Sequence, residues 1–425
     1  MTNRKKAPKT LSEKITSIVH STPILDVHTH LYVPDFGNIL LWGIDELLTY
    51  HYLVAEVFRA APLPYKKFWA KTKTEQADYI WQHLFIERSP LSEACRGVIT
   101  CLSELGLDPS ERNLETYRTY FASLNVNDYV DKVFARAGVR QVIMTNNPFD
   151  DLERPVWKKR TISDSRFLAA LRIDNLLVDW EHACPVLSSW DYEVEPRLGR
   201  WTIREIRRFL TDWAKKMKPV YMAASLPPSF SYPENSVCGK IIEECILPVG
   251  KELGIPFALM IGVKKRINPG LGDAGDSVGK AGISAVEHLC SKNPDNTFLV
   301  TMLSRENQHE LCVTARKFPN LMIFGCWWFL NNPSIIREMT SERIELLGLS
   351  MIPQHSDARV LDQLMYKWKH SRAIIAEVLT EKYSSLADAG WECTEEEIER
   401  DVEMLFGGNF ERFISTDNIH TRHKS

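Results

Sequence analysis

Short apolar runs alternate with helix-length amphipathic stretches along most of the chain. Most runs after the first are followed by an amphipathic stretch, such as residues 238–253 or 334–347. Strictly alternating β and α elements imply a parallel sheet with crossover helices. Eight such runs predict an α/β fold of the closed (β/α)8 TIM barrel type. The eight predicted strands are residues 24–30, 139–146, 167–174, 220–226, 256–262, 297–303, 321–327 and 349–356.

The connection between the first two runs is too long for a plain loop. It is rich in helix formers and aromatic residues, so we expect a helical insertion that leaves the first strand and covers the barrel mouth. Two helices are predicted after the eighth run, at 360–382 and 394–406. The predicted organisation is an N-terminal segment with the first strand (1–36), a helical insertion (37–135), and the rest of the barrel with C-terminal helices (136–425).

Composition and charge narrow the class of partner. The chain has 425 residues, of which 44% are hydrophobic and 25% charged, with a net charge of −3. These values are typical of an ordinary globular protein and favour a small-molecule substrate over nucleic acid or a membrane surface. The nine cysteines are scattered without a CxxC pair, which predicts reduced thiols and a cytoplasmic protein. A homo-oligomer is left open.

The strongest chemical signal is the pair of histidines in the first run, His28 and His30. A strand has a period of two, so both imidazoles point to one side, which is the cavity at the carboxyl end of a barrel strand. Two neutral imidazoles that converge suit a transition metal ion. Two ordinary polar histidines at a strand end are the alternative.

Asp357 is the predicted third ligand, because it directly follows the eighth run. In a closed barrel the eighth strand lies beside the first, so this carboxylate can reach the ion held by His28 and His30. Its other interpretation is a helix cap. The prediction is one divalent ion, with Zn²⁺ as first choice and Mn²⁺, Fe²⁺ or Co²⁺ as alternatives.

With these residues in view, the chain resembles a divergent member of the uronate isomerase family of the amidohydrolase superfamily. The resemblance follows the chain in order over almost its whole length, and no single match carries it. Beside the HxH strand, the matching elements are His51-Tyr52, Thr145-Asn146-Asn147-Pro148, Leu171-Arg172-Ile173-Asp174, Arg305-Glu306-Asn307, Phe324-Gly325-Cys326-Trp327-Trp328-Phe329, Asp357-Ala358-Arg359 and Asn409-Phe410-Glu411-Arg412-Phe413.

The resemblance implies aldose–ketose isomerisation of a hexuronate, either D-glucuronate to D-fructuronate or D-galacturonate to D-tagaturonate. Such a reaction moves a proton between neighbouring carbons, and a cation stabilises the developing oxygen charge. The residues implied in catalysis are Asp357, Tyr52, His51 and Arg359, and the residues alone do not single out the base. The alternatives are a metal-dependent hydrolase or lyase acting on a related sugar acid, and a non-enzymatic binding protein.

Recognition of the sugar carboxylate calls for guanidinium groups, which fit a carboxylate with two parallel hydrogen bonds. Arg172, Arg359 and Arg412 are the candidates, each with a structural ion pair as its alternative role. Trp327 and Trp328 are candidates for the pocket wall. Only one of the two is expected to face the cavity.

Two departures from the family pattern bear on the substrate. Met260 stands where the family usually has a histidine in the fifth strand, and Asn147 replaces an aspartate. A thioether cannot transfer protons, so we expect ordinary uronates to be slow substrates unless another group such as Lys264 or Arg266 takes over. The glycine-rich segment 268–275 is predicted to be a mobile loop at the barrel mouth near the substrate, with Asp273 and Asp276 as candidate site residues.

Overall fold

A parallel sheet of seven strands forms the centre of the protein. The computed structural model describes residues 10–159, 162 and 164–415. Each strand pairs in parallel with the next one along the chain, as the predicted alternation of β and α elements requires. The strands of this sheet are β1 (Ile24–Thr29), β2 (Val139–Asn146), β3 (Phe167–Arg172), β4 (Met222–Leu226), β5 (Phe257–Ile261), β8 (Phe298–Met302) and β9 (Leu321–Ile323).

A two-stranded antiparallel hairpin, which the apolar pattern did not predict, follows β5. It consists of β6 (Val263–Lys264) and β7 (Ser277–Val278), joined through a 3₁₀ segment, Pro269–Gly275. This segment is the predicted glycine-rich loop. The indole Nε1 of Trp69 donates to the Gly270 carbonyl oxygen at 2.8 Å, so the loop is hydrogen-bonded to the helical insertion.

The predicted eighth strand forms a single β-bridge, Phe324 to Ile352, and not a ladder strand. Pro353 has no backbone N–H to donate, and the side-chain Oε1 of Gln354 takes the place of a backbone acceptor for the N–H of Cys326 at 3.1 Å. Further along, the N–H of Asp357 donates to the carbonyl oxygen of His28 at 3.1 Å. The segment therefore bonds to β9 on one side and to β1 on the other.

Helices cover the outer face of the sheet and the region above its carboxyl end. The predicted insertion contains helices α2 to α8, and the long predicted helix after the eighth run is α18. The helices are α1 (Leu11–Ser21), α2 (Ile44–Leu48), α3 (His51–Ala60), α4 (Tyr65–Trp69), α5 (Lys73–Trp81), α6 (Glu93–Glu104), α7 (Leu114–Ala122), α8 (Val126–Ala137), α9 (Glu153–Lys159), α10 (Asp174–Val178), α11 (Trp180–Ser188), α12 (Arg200–Met217), α13 (Val237–Ile241), α14 (Leu247–Leu253), α15 (Ser284–Lys292), α16 (Gln308–Ala315), α17 (Pro333–Leu347), α18 (Gln363–Asp388), α19 (Glu395–Glu403) and α20 (Asn409–Ile414).

The interior of the curled sheet is a separate apolar cluster, closed at the amino-terminal ends of the strands by α20. Phe410 of α20 is fully buried in this cluster with Leu25, Ala258 and Leu299. Gly407 has a φ of 155°, and a Cβ there would lie 2.9 Å from the Cβ of Leu25. A glycine at this position therefore permits the close approach of α20 to β1.

Among the described residues no helix is long and apolar enough to cross a membrane. All nine cysteines lie in the described part of the chain, and none of them forms a disulfide.

Candidate active site and metal centre

His28 and His30 reach the same point above the carboxyl ends of the strands with the help of a bulge. Strand β1 has one more residue than β2 between Asp26 and Thr29. Val27 therefore joins the interior cluster while the His28 side chain also turns towards the cavity. A bulge that redirects a side chain is common beside active sites.

Asp357 meets both histidines from the opposite side. Its Oδ1 lies 3.5 Å from Nε2 of His28 and 3.3 Å from Nε2 of His30. Asp357 has a φ of 51°, a left-handed conformation that aspartate tolerates better than most residues. The N–H of His30 donates to the Ala358 carbonyl oxygen at 2.7 Å, so backbone bonds on both sides of Asp357 attach it to β1.

A buried aspartate below the site holds the two segments together. The side chain of Asp26 accepts from the backbone N–H of Ser356 at 3.0 Å and from the indole Nε1 of Trp368 at 2.8 Å. Burial raises the pKa of the Asp26 carboxyl. Asp26 thus connects β1, the 352–358 segment and α18, and it fixes the position of Asp357 relative to the histidines.

The three side chains fit a divalent cation. One nitrogen or oxygen from each lies within 4.8 Å of the others, and this is the one such group of three or more among the described residues. Nε2 of His28 and Oδ1 of Asp357 are buried without a hydrogen-bond partner there. Buried acceptors that converge without a donor are costly unless a cation lies between them. The set of two imidazoles and one carboxylate is typical of Zn²⁺ and related ions.

The charge states of His30 and Asp357 agree with this role. Burial lowers the pKa of His30 to about 4, so its imidazole is neutral at neutral pH. Burial opposes the ionisation of Asp357, and hydrogen bonds donated by His28 and His30 would lower the pKa of its carboxyl below its usual range. A neutral imidazole and an ionised carboxylate are the forms that bind metal.

A closed cavity of about 70 Å³ lies against the three ligands. Met260 and Ala223 form part of its apolar wall, and Arg172 and Lys265 bring positive charge to it. Lys265 also forms an ion pair with Asp276 at 2.8 Å. Lys264 and Arg266, which the sequence suggested as substitutes for the missing histidine, do not line the cavity, whereas Lys265 between them does.

Both neighbouring tryptophans, Trp327 and Trp328, line the cavity, and the expectation that only one of them faces it is wrong. The chain leaves the extended strand after β9, and Trp328 has a left-handed φ of 46° at the start of a 3₁₀ turn. The strict alternation of a strand therefore does not apply to this pair.

The His51-Tyr52 pair lies at the start of α3, above the metal ligands. His51 lines the cavity together with Tyr50, and burial lowers the pKa of its imidazole to about 3. Its Nε2 is buried without a hydrogen-bond partner among the described residues. The buried hydroxyl of Tyr52 also lacks a well-formed hydrogen bond there, and the Lys367 ammonium lies 5.9 Å from its ring centre.

A larger outer cavity of about 1040 Å³ adjoins the closed one, since Tyr50 and His51 line both. The insertion, the glycine-rich segment and Arg359 form its other walls. The Arg359 side chain is 40% exposed, and its Nη1 lies 3.7 Å from Oδ2 of Asp273. Arg359 therefore lies at the outer cavity and not at the metal cavity itself.

The guanidinium group of Arg172 reaches the closed cavity but is partly occupied. Its Nε and Nη2 donate to the two oxygens of Asp174 at 2.9 and 2.7 Å, and Asp174 also accepts from the N–H of Ser225. Among the described residues Nη1 has no such bond, so one nitrogen of Arg172 is left for a ligand. Sequence spacing gives no sign of this bidentate pair.

Arg412 is not brought to the site. It lines a different cleft of about 990 Å³ with Arg316 and Lys317, and no residue is common to that cleft and the metal cavity. The physical reason is that α20 packs against the amino-terminal ends of the strands, whereas the metal ligands are at the carboxyl ends.

Two further residues contact the ligands from below and beside them. The Tyr221 hydroxyl lies 3.2 Å from Nδ1 of His28, and Oγ1 of Thr145 lies 2.9 Å from Nδ1 of His30. Tyr221 gave no sequence signal beyond its position at the start of a predicted strand. Thr145 belongs to one of the quoted family elements, but that element does not reveal the contact.

Fold and site together define the class of protein: a parallel α/β sheet with covering helices and a candidate metal site at the carboxyl ends of its strands. No family model matches the chain, and no curated protein matches it. A uronate isomerase from Bacillus halodurans C-125, known from its crystal structure, is 58% identical, with a TM-score of 0.95 over 99% of this chain and 100% of that chain. The chain belongs to the uronate isomerase family.

Two more distant crystal structures have the same fold. A uronate isomerase from Thermotoga maritima is 14% identical, with a TM-score of 0.78 over 95% of this chain and 97% of that chain. A glucuronate isomerase from Caulobacter crescentus is 13% identical, with a TM-score of 0.77 over 97% and 96% of the two chains.

Proposed function

We propose that this protein is a uronate isomerase that interconverts the aldose and ketose forms of a hexuronate. The observation that carries the proposal is the 58% identity, over 99% of the chain, to a protein named for that activity. D-Glucuronate and D-galacturonate are the proposed substrates. The reaction moves one proton from C2 to C1 and rearranges the protons of the two oxygens, so it needs no redox partner.

The proposed metal ligands are His28, His30 and Asp357, and the proposed ion is Zn²⁺, with Mn²⁺, Fe²⁺ or Co²⁺ as alternatives. A divalent ion at this site supplies a Lewis acid for the developing charge on the substrate oxygens. The geometry on which this rests is the convergence of three acceptors described above. Met260 adds no ligand to the group, which favours one ion over two.

The chain's own residues divide the remaining tasks. Asp357 is ionised and lies at the cavity, so we assign to it the acceptance of the C2 proton. His51 is neutral, and its free Nε2 can accept a hydrogen bond from a sugar hydroxyl. We assign proton transfer between substrate oxygens to Tyr52, whose buried hydroxyl lacks a well-formed bond and which adjoins the cavity-lining His51 without lining the cavity itself.

Recognition of the sugar and of its carboxylate involves the cavity wall and the mouth. We propose that Arg172 holds the carboxylate through Nη1, while Asp174 fixes the orientation of the guanidinium group. Arg359, beside the outer cavity, is proposed to contact the entering sugar, and Trp327 limits the volume available to it. Arg412 is omitted because it lies in the other cleft.

Two broader features complete the proposal. We propose that the 352–358 segment takes the place of the eighth strand and closes the barrel, because it is hydrogen-bonded to β9 through Ile352 and to β1 through Asp357.

The proposed location of the protein is the cytoplasm, where reduced thiols persist.

The test is a direct assay. Purified protein is incubated with each of the four ions and with D-glucuronate or D-galacturonate, and ketose formation is followed by ¹H NMR in H₂O and in D₂O. Isomerisation with solvent exchange at the migrating proton is expected, and Asp357→Asn should reduce kcat by on the order of 100-fold or more. Absence of turnover with both sugars and all four ions, in protein that is folded, would refute the proposal.

A further inference from the structure

Each candidate metal-binding histidine is bonded to a hydroxyl through the ring nitrogen that faces away from Asp357. Nδ1 of His28 meets the Tyr221 hydroxyl at 3.2 Å, and Nδ1 of His30 meets Oγ1 of Thr145 at 2.9 Å. Both hydroxyl-bearing side chains are buried, as is His28. Thr145 belongs to β2, whereas Tyr221 directly precedes β4, so the two contacts come from different segments and are independent of each other.

The two hydroxyls share a second feature. Tyr221 donates to the carbonyl oxygen of Val27 at 2.8 Å, and Thr145 donates to the carbonyl oxygen of Thr29 at 2.9 Å. Each carbonyl thus belongs to the residue directly before the histidine that the hydroxyl contacts. A carbonyl oxygen can only accept, so the single proton of each hydroxyl lies on that bond.

It follows that the proton in the hydroxyl–imidazole contact comes from the ring. A hydroxyl whose proton is already donated offers only lone pairs, so Nδ1 of His28 and of His30 must carry hydrogen. In a neutral imidazole the other nitrogen, Nε2, then has a free lone pair. That lone pair is the one directed at Asp357 and at the candidate metal position.

The opposite tautomer has a competing attraction, because Nε2–H could donate to Asp357. The distances decide between the two. For His30 the hydroxyl contact is 2.9 Å and the carboxylate contact 3.3 Å. For His28 the values are 3.2 and 3.5 Å. In the opposite tautomer, the unprotonated Nδ1 and the backbone carbonyl oxygen would both be acceptors for the single proton of each hydroxyl. The carbonyl oxygen lies 2.8 Å from the Tyr221 hydroxyl and 2.9 Å from the Thr145 hydroxyl, so one of these two close contacts would lack a proton.

We propose that Tyr221 and Thr145 are positioning residues that keep His28 and His30 in the Nδ1–H tautomer, so that both Nε2 lone pairs are ready for a cation before it arrives. Hydrogen bonds to the second nitrogen of metal-binding histidines commonly set ring orientation and basicity. The inference rests on the metal site of the proposed function and is independent of the sugar substrate.

The tautomers can be measured directly. Protein with ¹⁵N-labelled histidine is freed of metal by chelation, and long-range ¹H–¹⁵N correlation spectra assign the protonated nitrogen of each ring, with His28→Gln and His30→Gln used for assignment. Both rings should show a protonated Nδ1 in the wild-type chain. Tyr221→Phe should shift His28 towards Nε2–H, where Asp357 becomes its better partner, and Thr145→Val should do the same to His30.

Metal affinity supplies a second readout that needs no catalysis. Titration with Zn²⁺ against a competing chelator should show affinity lowered on the order of 10- to 100-fold in Tyr221→Phe and in Thr145→Val. Thr145→Ser keeps the hydroxyl and should restore both tautomer and affinity. Tyr117→Phe is the matched control, because Tyr117 is also buried and its hydroxyl donates to the Asp108 carbonyl oxygen, with no imidazole involved.

Each result has a clear consequence. The inference would be overturned if Tyr221→Phe and Thr145→Val both kept the Nδ1–H tautomers and bound Zn²⁺ within twofold of the wild-type affinity, with thermal unfolding unchanged. So would an equal loss of affinity in Tyr117→Phe. A wild-type chain that has the Nδ1–H tautomers and binds no ion would instead overturn the proposed metal site and leave the tautomer assignment standing.

Discussion

The backbone N–H of Asp357 donates to the carbonyl oxygen of His28 at 3.1 Å, while Oδ1 of the same aspartate lies 3.5 Å from Nε2 of the same histidine. One pair of residues therefore fixes both the strand-to-segment contact and the ligand geometry. Because the contact is made by backbone atoms, the position of the ligands does not depend on a cation. A preformed site of this kind avoids most of the ordering cost that binding would otherwise include.

The first prediction concerns the candidate ligands. The wild-type chain should hold about one divalent ion, and the double variant His28→Ala/His30→Ala should lose it, because two of three protein ligands are removed. Elemental analysis after dialysis against a weak chelator measures the content. His182→Ala is the control, since that imidazole is 82% exposed and paired only with the nearby Asp179 in the described structure. Full retention of the ion in the double variant would contradict the assignment.

The second prediction concerns Arg172. Arg172→Met should raise KM for a uronate much more than for the matching neutral aldose, because the guanidinium group serves the carboxylate. Removal of the guanidinium group also leaves the half-buried Asp174 without its partner, so Asp174→Asn is measured as a control for the loss of that ion pair. Arg172→Lys keeps the charge but not the two-pronged geometry, and an intermediate KM is expected. An equal effect of Arg172→Met on both sugars would make Arg172 a structural residue.

The order of the strands could be predicted from the sequence, because parallel strands buried on both faces are continuous apolar runs. The convergence of His28, His30 and Asp357, the candidate metal ligands, also agrees with the prediction. The seven ladder strands lie within predicted runs, and the histidine pair lies at the end of the first. The same reasoning failed at 349–356, since it counted hydrophobic residues and did not weigh Pro353. The bulge in β1 could not be predicted either, because it depends on how β1 pairs with β2.

Contacts between side chains from distant segments could not be predicted. Arg172 and Asp174 are close in sequence, but their bidentate pair depends on the turn after β3. Tyr221 reaches His28 across the interior of the sheet, over 193 positions of sequence. The placement of Arg412 depends on where α20 packs, and a pattern of apolar residues gives no information about which end of the barrel a helix closes.

The third prediction concerns Met260, which is 2% exposed and forms part of the cavity wall. A thioether gives a sugar oxygen no useful hydrogen bond, so D-glucuronate and D-galacturonate should be slow substrates, and Met260→His should raise kcat/KM. Steady-state kinetics of both proteins with both sugars measure the effect. A native kcat/KM of about 10⁴ M⁻¹s⁻¹ or more, with no gain from the histidine, would show that the substitution is neutral.

Lys265 provides the companion test, because it is a lysine that lines the cavity and so a candidate to replace the missing imidazole. Lys265→Met should lower kcat/KM for uronates, and the loss should be smaller when the Met260→His change is also present. Lys264→Met is the matched control, since that neighbouring lysine is equally exposed but does not line the cavity. Equal effects of the two lysine variants would remove Lys265 from the site.

The last prediction concerns pH and Glu153, which is 2% exposed at the start of α9. Its carboxyl accepts from the Tyr32 hydroxyl at 2.7 Å and from the Asn146 amide at 3.0 Å, yet burial prevails and raises its pKa to about 7 from the ordinary 4.5. Between these two values the folded chain holds more protons at this group than the unfolded chain does. The free energy of unfolding therefore falls as the pH rises from about 4.5 to 7, by roughly 3 kcal/mol for this group alone.

Glu153→Gln removes that contribution, because the amide does not titrate. The free energy of unfolding is measured with urea at pH 5 and at pH 8. Relative to wild type, the variant should be about 1–3 kcal/mol more stable at pH 8 than at pH 5. The cost of placing an amide among the donors around residue 153 applies at both pH values and does not affect this difference. Glu310→Gln, at an exposed position, is the control and should leave the difference between the two pH values unchanged. If the free energy of unfolding changed equally between pH 5 and pH 8 in wild type and in Glu153→Gln, the Glu153 carboxyl would ionise in the folded protein as easily as in the unfolded one.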